Sequence, residues 1–114
     1  MIDDDDTIVS FITELLTEEG YAVRGVLSGR DALRAVTERR PALVLLDLRM
    51  AGLHGEDVLV YLHSAHRRVP VVIITAEPRL AAPLVERYKI ECIAKPFDID
   101  ALLNCVHRYV RPSA

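Results

Sequence analysis

A chain of 114 residues, 51% apolar and 27% charged, can bury one hydrophobic core but not two, and is not the composition of a disordered segment. A net charge of −3 gives no reason to expect nucleic acid as a direct ligand, and no apolar run approaches the ~20 residues of a membrane span. No basic region leading into an apolar segment opens the chain, so a cytoplasmic location is expected, with Cys92 and Cys105 as reduced thiols rather than a disulfide.

The run Asp3-Asp4-Asp5-Asp6 precedes a helical pattern, and its later members suit an N-cap and first turn. Ile8, Phe11, Ile12, Leu15 and Leu16 recur at the spacing of one helix face, and Gly20 ends that helix. Residues 21–27 read as a weakly alternating strand. Ser28-Gly29 then turns the chain into a second helix, Asp31 to Arg39, burying Ala32, Leu33 and Val36 ahead of Pro41.

Leu43-Val44-Leu45-Leu46 is a short apolar run with no helical period, which predicts a strand buried on both faces, and it ends in Asp47. A loop carrying Arg49, Met50, Gly52 and Gly55 follows. From Gly55 to about Ser64 the pattern Val58, Leu59, Leu62 predicts a third helix. His63, His66, Arg67 and Arg68 then make a basic helix end rather than a metal site, since the arginines repel a cation.

Pro70 introduces a second buried strand, 71–75, ending in Thr75. Leu80, Leu84 and Tyr88 suggest a fourth helix weakened by Pro83, which lacks an amide and crowds the preceding turn. Glu91 to Ala94 is a last strand before Lys95-Pro96-Phe97. Asp98 can cap a final helix burying Ile99, Leu102, Leu103, Val106 and Val110.

Strands alternating with helices over this length predict an α/β fold, a doubly wound parallel sheet covered on both faces. Parallel strands end on one rim, where such sheets bind ligands, so Asp47, Thr75 and Lys95 converge there and the acidic run reaches the same place. Clustered carboxylates repel one another unless a cation joins them, and few hard oxygen ligands suit Mg²⁺. A carboxylate beside that ion can attack phosphorus, with Thr75 and Lys95 facing the charge that develops on the phosphoryl oxygens. The residue types alone therefore point to a Mg²⁺-assisted phosphoryl acceptor.

Taken together, the acidic pair, Asp47 followed by Arg49-Met50 and the glycine loop, Ile74-Thr75-Ala76 and Lys95-Pro96-Phe97 resemble a receiver domain of bacterial two-component signalling, over essentially the whole chain. The resemblance implies one flavodoxin-like domain over residues 1–114, with strand order 2-1-3-4-5 and a cis peptide before Pro96. It implies that Asp47 takes phosphate from the phosphohistidine of a sensor kinase or phosphotransfer protein. Asp3 and Asp4 join Asp47 as Mg²⁺ ligands, Thr75 is the switch hydroxyl, and Lys95 pairs with the phosphate. Arg49 and Glu77, flanking Asp47 and Thr75 by two positions, stand where receivers tune phosphate loss, and an ordinary surface ion bridge of little energetic weight is the alternative account of them. A downstream effector protein or domain reads the result on the fourth helix, last strand and last helix. Such a protein is not an enzyme releasing a product.

Four positions depart from the family pattern. Only Met1 and Ile2 precede Asp3, so the first strand is nearly absent: either the polypeptide starts earlier, or the sheet is frayed there, or another chain completes it, and an unpaired interior edge invites self-association into a homodimer. Cys92 stands where an aromatic switch residue is usual, Ala51 replaces a proline, and the segment from Thr75 to Lys95 is about two residues short. These departures keep open a second reading, a receiver-like interaction or assembly module that no longer switches. A small phosphohydrolase with an Asp nucleophile is disfavoured, because no second carboxylate follows Asp47 closely enough to serve as acid–base.

Overall fold

The computed structural model describes residues 1–2, 5–47, 55–65 and 69–110. They form helices α1 (Asp6–Glu18), α2 (Gly29–Glu38), α3 (Gly55–Ala65), α4 (Pro78–Tyr88) and α5 (Ile99–Tyr109), and strands β1 (Val44–Leu46), β2 (Val71–Thr75) and β3 (Glu91–Ala94). Asp3 and Asp4, the Arg49-Met50-Ala51-Gly52 loop, and the His66-Arg67-Arg68 helix end lie outside the described residues.

The strands pair in parallel, in the order β1-β2-β3. All five residues of β2 are buried, which is why its sequence is continuously apolar rather than alternating. Beyond β1 the pairing thins to two isolated parallel bridges that set Ile2 between Val26 and Leu46. There the Ile2 amide donates to the Leu45 carbonyl at 2.8 Å, and the Asp47 amide donates to the Ile2 carbonyl at 2.9 Å. Where five strands in the order 2-1-3-4-5 were expected, the described residues form three strands and two isolated bridges. The strand expected over 21–27 is reduced to the bridge at Val26, whose partner is Ile2.

Apolar side chains cover both sheet faces. Ile2, Leu46 and Ile73 pack with Ala32 and Val36 of α2, Val58, Leu59 and Leu62 of α3, and Ala81 and Leu84 of α4. On the other face Met1, Leu45, Val72 and Ile74 meet Val9, Ile12 and Leu16 of α1 and Leu102, Cys105 and Val106 of α5. Consecutive strand residues go to opposite layers, so the two helical layers are specified by one short apolar run.

Three helix faces differ from the expected ones. In α1 the buried stripe is Val9, Ile12 and Leu16, and Phe11 is left 46% exposed. The cause is the chain at Gly25, which crosses so close to Val9 and Thr13 that a side chain there has no room. In α4 Ala81 and Leu84 face the core while Leu80 is 61% exposed. In α5 Cys105 is buried and Ile99 is exposed.

Pro83 lies on the exposed side of α4, where the Arg79 carbonyl that loses its amide partner can turn to water, and the helix runs on for 11 residues. The capping signals hold. Asp5 accepts from the Thr7 and Ile8 amides, Asp98 accepts from the Asp100 amide, and Gly20 takes a φ of 94° after α1. Ser28 caps α2 through the Asp31 amide, which starts that helix at Gly29, two residues earlier than the pattern suggests. Among the described residues no helix is long and apolar enough to cross a membrane.

A Cβ at position 25 would fall 2.5 Å from Val9 Cγ1 and 2.9 Å from Thr13 Oγ1. Gly25→Ala is therefore expected to lower the urea midpoint by the equivalent of about 1–3 kcal/mol, the usual cost of overpacking, and Val9→Ala in the same chain to recover part of it. Phe11→Ser is expected to change stability by less than about 0.5 kcal/mol, against roughly 2–5 kcal/mol for Ile12→Ala in the same measurement.

Candidate functional site

The site is built from strand ends. Where β1 stops, the Asp47 amide is taken by the Ile2 carbonyl, which fixes the backbone and leaves the carboxylate at the rim, 6% exposed. One strand over, Thr75 closes β2 and is sealed from solvent. Its hydroxyl oxygen accepts from the Glu77 amide at 3.0 Å, a local turn that leads directly into α4 at Pro78. Past β3, the Lys95 amide donates to the Thr75 carbonyl at 2.7 Å, carrying the ladder one step further, and the Lys95–Pro96 peptide is cis.

From that anchored backbone the Lys95 side chain reaches across the rim to Asp47, Nζ to Oδ2 at 3.1 Å. The two side chains retain 20% and 9% of their exposure, so the pair is more strongly coupled than a surface salt bridge. Asp47, Thr75 and Lys95, expected to meet, are thus together at one edge. Asp3 and Asp4 lie outside the described residues, between Ile2, which touches the Asp47 backbone, and Asp5, which caps α1. Among the described residues no group of three His, Cys, Asp or Glu side chains gathers as a metal site. His63 sits edge-on against the Tyr88 ring with centroids 4.8 Å apart, a packed helix-end residue. His66, its suggested neighbour, is outside the described residues.

One polar cluster escaped the sequence reading. The Glu91 carboxylate, at the opposite end of β3 from Lys95, accepts from Tyr109 Oη at 2.8 Å, Arg108 Nη2 at 2.8 Å and Cys105 Sγ at 3.5 Å. Chiefly the Tyr109 hydrogen bond holds the Glu91 carboxyl below its usual range, against burial. Burial first, and then Glu91, push the Tyr109 hydroxyl up to about 12. Burial likewise raises the Cys92 and Cys105 thiols, which makes both poor nucleophiles. The signal for this cluster was the spacing of Cys105, Arg108 and Tyr109, which shares one helix face; nothing local says that face meets Glu91.

A parallel sheet with helices on both faces, and a carboxylate, a hydroxyl and an ammonium gathered at its strand ends, defines a flavodoxin-like doubly wound domain with a rim site. More particularly, the response regulator receiver domain family matches residues 1–107, and the chain belongs to that family. It is 32% identical to sporulation initiation phosphotransferase F of Bacillus subtilis, over 96% of this chain and 90% of that protein. It is also 32% identical to the DNA-binding transcriptional regulator NtrC of Klebsiella pneumoniae, over 96% of this chain but 24% of the other. The crystal structure of the receiver domain of NtrX from Brucella abortus superposes with a TM-score of 0.89 at 30% identity, covering 98% of this chain and 97% of that one. The chain thus spans nearly all of the first relative and about a quarter of the regulator NtrC.

Because the folded Glu91 carboxyl titrates below its ordinary value of 4.5, ionisation favours the fold. That contribution is complete above pH 4.5 and is lost as pH falls through the lower folded value. Glu91→Gln is expected to remove this part of the acid destabilisation, read as a shallower fall of the urea midpoint below pH 4.5.

Proposed function

We propose that this chain is a phosphorylation-driven receiver in which Asp47 is the acceptor, Lys95 pairs with a phosphoryl oxygen and Thr75 carries the switch hydroxyl. The observation that carries the reading is the 3.1 Å contact from Lys95 Nζ to Asp47 Oδ2, with Asp47 buried and Lys95 half-buried at the rim. Phosphoryl transfer asks little covalent work of a protein beyond positioning and charge. A carboxylate held by one ammonium, with its backbone tied to Ile2, meets the positioning requirement. An Asp47 oxygen attacks phosphorus, the bond to the donor's imidazole nitrogen breaks, and the electron pair leaves with the imidazole. The donor is a phosphohistidine on a sensor kinase or phosphotransfer protein.

Asp3 and Asp4 with Asp47 are the residues that would hold Mg²⁺. Hard carboxylate oxygens, few in number, fit that ion, and in the sequence the pair directly follows Ile2, whose backbone bonds that of Asp47. When bound it neutralises charge on the transferring phosphoryl group. The Thr75 hydroxyl then donates to a phosphoryl oxygen on Asp47, and drawing that hydroxyl toward the rim pulls on the Glu77 amide that donates to it. That pull strains the turn into α4 and biases the surface of α4, β3 and α5 read by an effector protein or domain.

Cys92 favours a second reading, an interaction module that does not switch. It packs half-buried against the core and offers no ring to swing between buried and exposed states.

Incubation with Mg²⁺ and a small acyl phosphate is expected to add one phosphoryl group by intact mass. Asp47→Asn and removal of Mg²⁺ should abolish the product, and Lys95→Ala should slow its formation by roughly 10²-fold, the scale of losing one aligned charge in a transition state. Label persisting in Asp47→Asn overturns the acceptor assignment, and an unlabelled wild type favours the second reading. Asp3→Asn with Asp4→Asn is expected to raise the Mg²⁺ concentration needed for half-maximal labelling by at least about tenfold, as loss of first-sphere ligands does.

A further inference from the structure

At the end of the sheet opposite Asp47, where β2 begins, a cavity of about 460 Å³ opens between the last turns of α3 and α4. Leu59, Val69, Pro70, Val71 and Ile90 give it apolar walls. His63 and Tyr88 add aromatic ones, their rings edge-on with centroids 4.8 Å apart. Small-molecule sites have volumes of roughly 300–1,000 Å³ and join apolar walls to a few polar groups. Here those groups are the Tyr88 hydroxyl and the His63 ring nitrogens, which make no hydrogen bond among the described residues.

Two cations stand beside the rings. The Arg87 guanidinium carbon lies 5.5 Å from the Tyr88 ring centroid, and Lys89 falls in the sequence between Tyr88 and Ile90, both of which line the cavity. Neither has a carboxylate partner among the described residues. Glu91 is committed to Arg108, and Glu86, which precedes Arg87 on α4, projects about 100° around the helix from it. Lys89 also holds a left-handed backbone, φ 56°, at the C-cap of α4, where glycine or asparagine is the less costly choice. A charged side chain kept at a strained position points to a use for that charge.

We propose that this cavity binds a small aromatic carboxylate, with its flat apolar body among His63, Tyr88 and the aliphatic walls and its anionic group toward Arg87 and Lys89. An uncharged apolar guest would use the walls and leave both cations without a counter-charge. An inorganic anion would meet the cations and leave the walls wet. One molecule carrying a ring and a carboxylate answers both, since aromatic walls favour a flat partner and unpaired cations favour an anion. Buried β2 runs from this cavity at Val71 to the rim at Thr75, so the two sites lie at opposite ends of one strand. Binding here does not depend on Asp47 accepting phosphate.

The probe is 2-naphthoate, titrated into the full chain and followed by amide chemical shifts. Saturable shifts at Val71, Tyr88 and Ile90 are expected, with a Kd of about 1 mM or below, the scale for a ligand of this size. 2-Naphthalenemethanol keeps the rings without the charge, inorganic phosphate keeps the charge without the rings, and each is expected to bind at least about tenfold more weakly. Arg87→Gln and Lys89→Gly should each weaken 2-naphthoate binding by about threefold or more, as losing one partly exposed charge contact does. Lys89→Gly should also raise the urea midpoint, because glycine takes φ 56° without strain, so its weaker binding is not a loss of fold. No saturable shift at the three amides up to about 10 mM probe overturns the site. Equal binding of 2-naphthalenemethanol, or unchanged binding in both variants, overturns the carboxylate assignment, and equal binding of phosphate overturns the aromatic one.

Discussion

Parallel, in-register pairing of three strands is the constraint from which the rest of this molecule follows. With Leu46 opposite Ile73 and Thr75 opposite Ala94, the strands stop within a residue or two of one another, and all stop at the same edge. Each therefore delivers its next polar group to that edge: Asp47 after β1, Thr75 at the end of β2, Lys95 after β3. A one-residue slip of β3 would reverse the face to which each of its side chains points and take the ammonium out of reach of the carboxylate. The pair at the rim is a consequence of backbone register before it is a matter of charge.

The same register gives the rim mechanical links to more distant elements. Thr75 is bound twice, its carbonyl by the Lys95 amide and its hydroxyl by the Glu77 amide, so one residue joins β2, β3 and the start of α4. At its other end β3 is fastened to α5 through Glu91, Arg108 and Tyr109. The rim and the helical layer of α5 are thus joined by hydrogen bonds at the two ends of one strand, outside the apolar core. Charge at the rim and packing in the layers are handled by different parts of each strand, which lets a buried, coupled pair sit beside a tightly filled interior.

Packing, rather than pattern, decides how each helix sits on that sheet. The periodicity of α1 is satisfied equally well by a stripe through Phe11 and by one through Val9, and the steric demand at Gly25 selects the second. In α4 the small Ala81, which a hydrophobic count passes over, is fully buried while Leu80 stays outside. Volume available at the interface outweighs side-chain hydrophobicity when a helix must approach a sheet closely.

Element type and rim chemistry were legible in the residues because they are local. A continuous apolar run ending in Asp47 or Thr75, an Asp ahead of a helical period, and Lys95 before Pro96 each announce themselves within a few positions, and parallel topology follows from their alternation. Tertiary structure alone decided which stripe of α1, α4 and α5 is buried, that residues 21–27 form a β-bridge only at Val26 among the described residues, and that Glu91 meets Arg108 and Tyr109. Those outcomes depend on contacts between segments far apart in the chain, where distance and volume, which no periodicity encodes, choose among patterns that are locally equivalent.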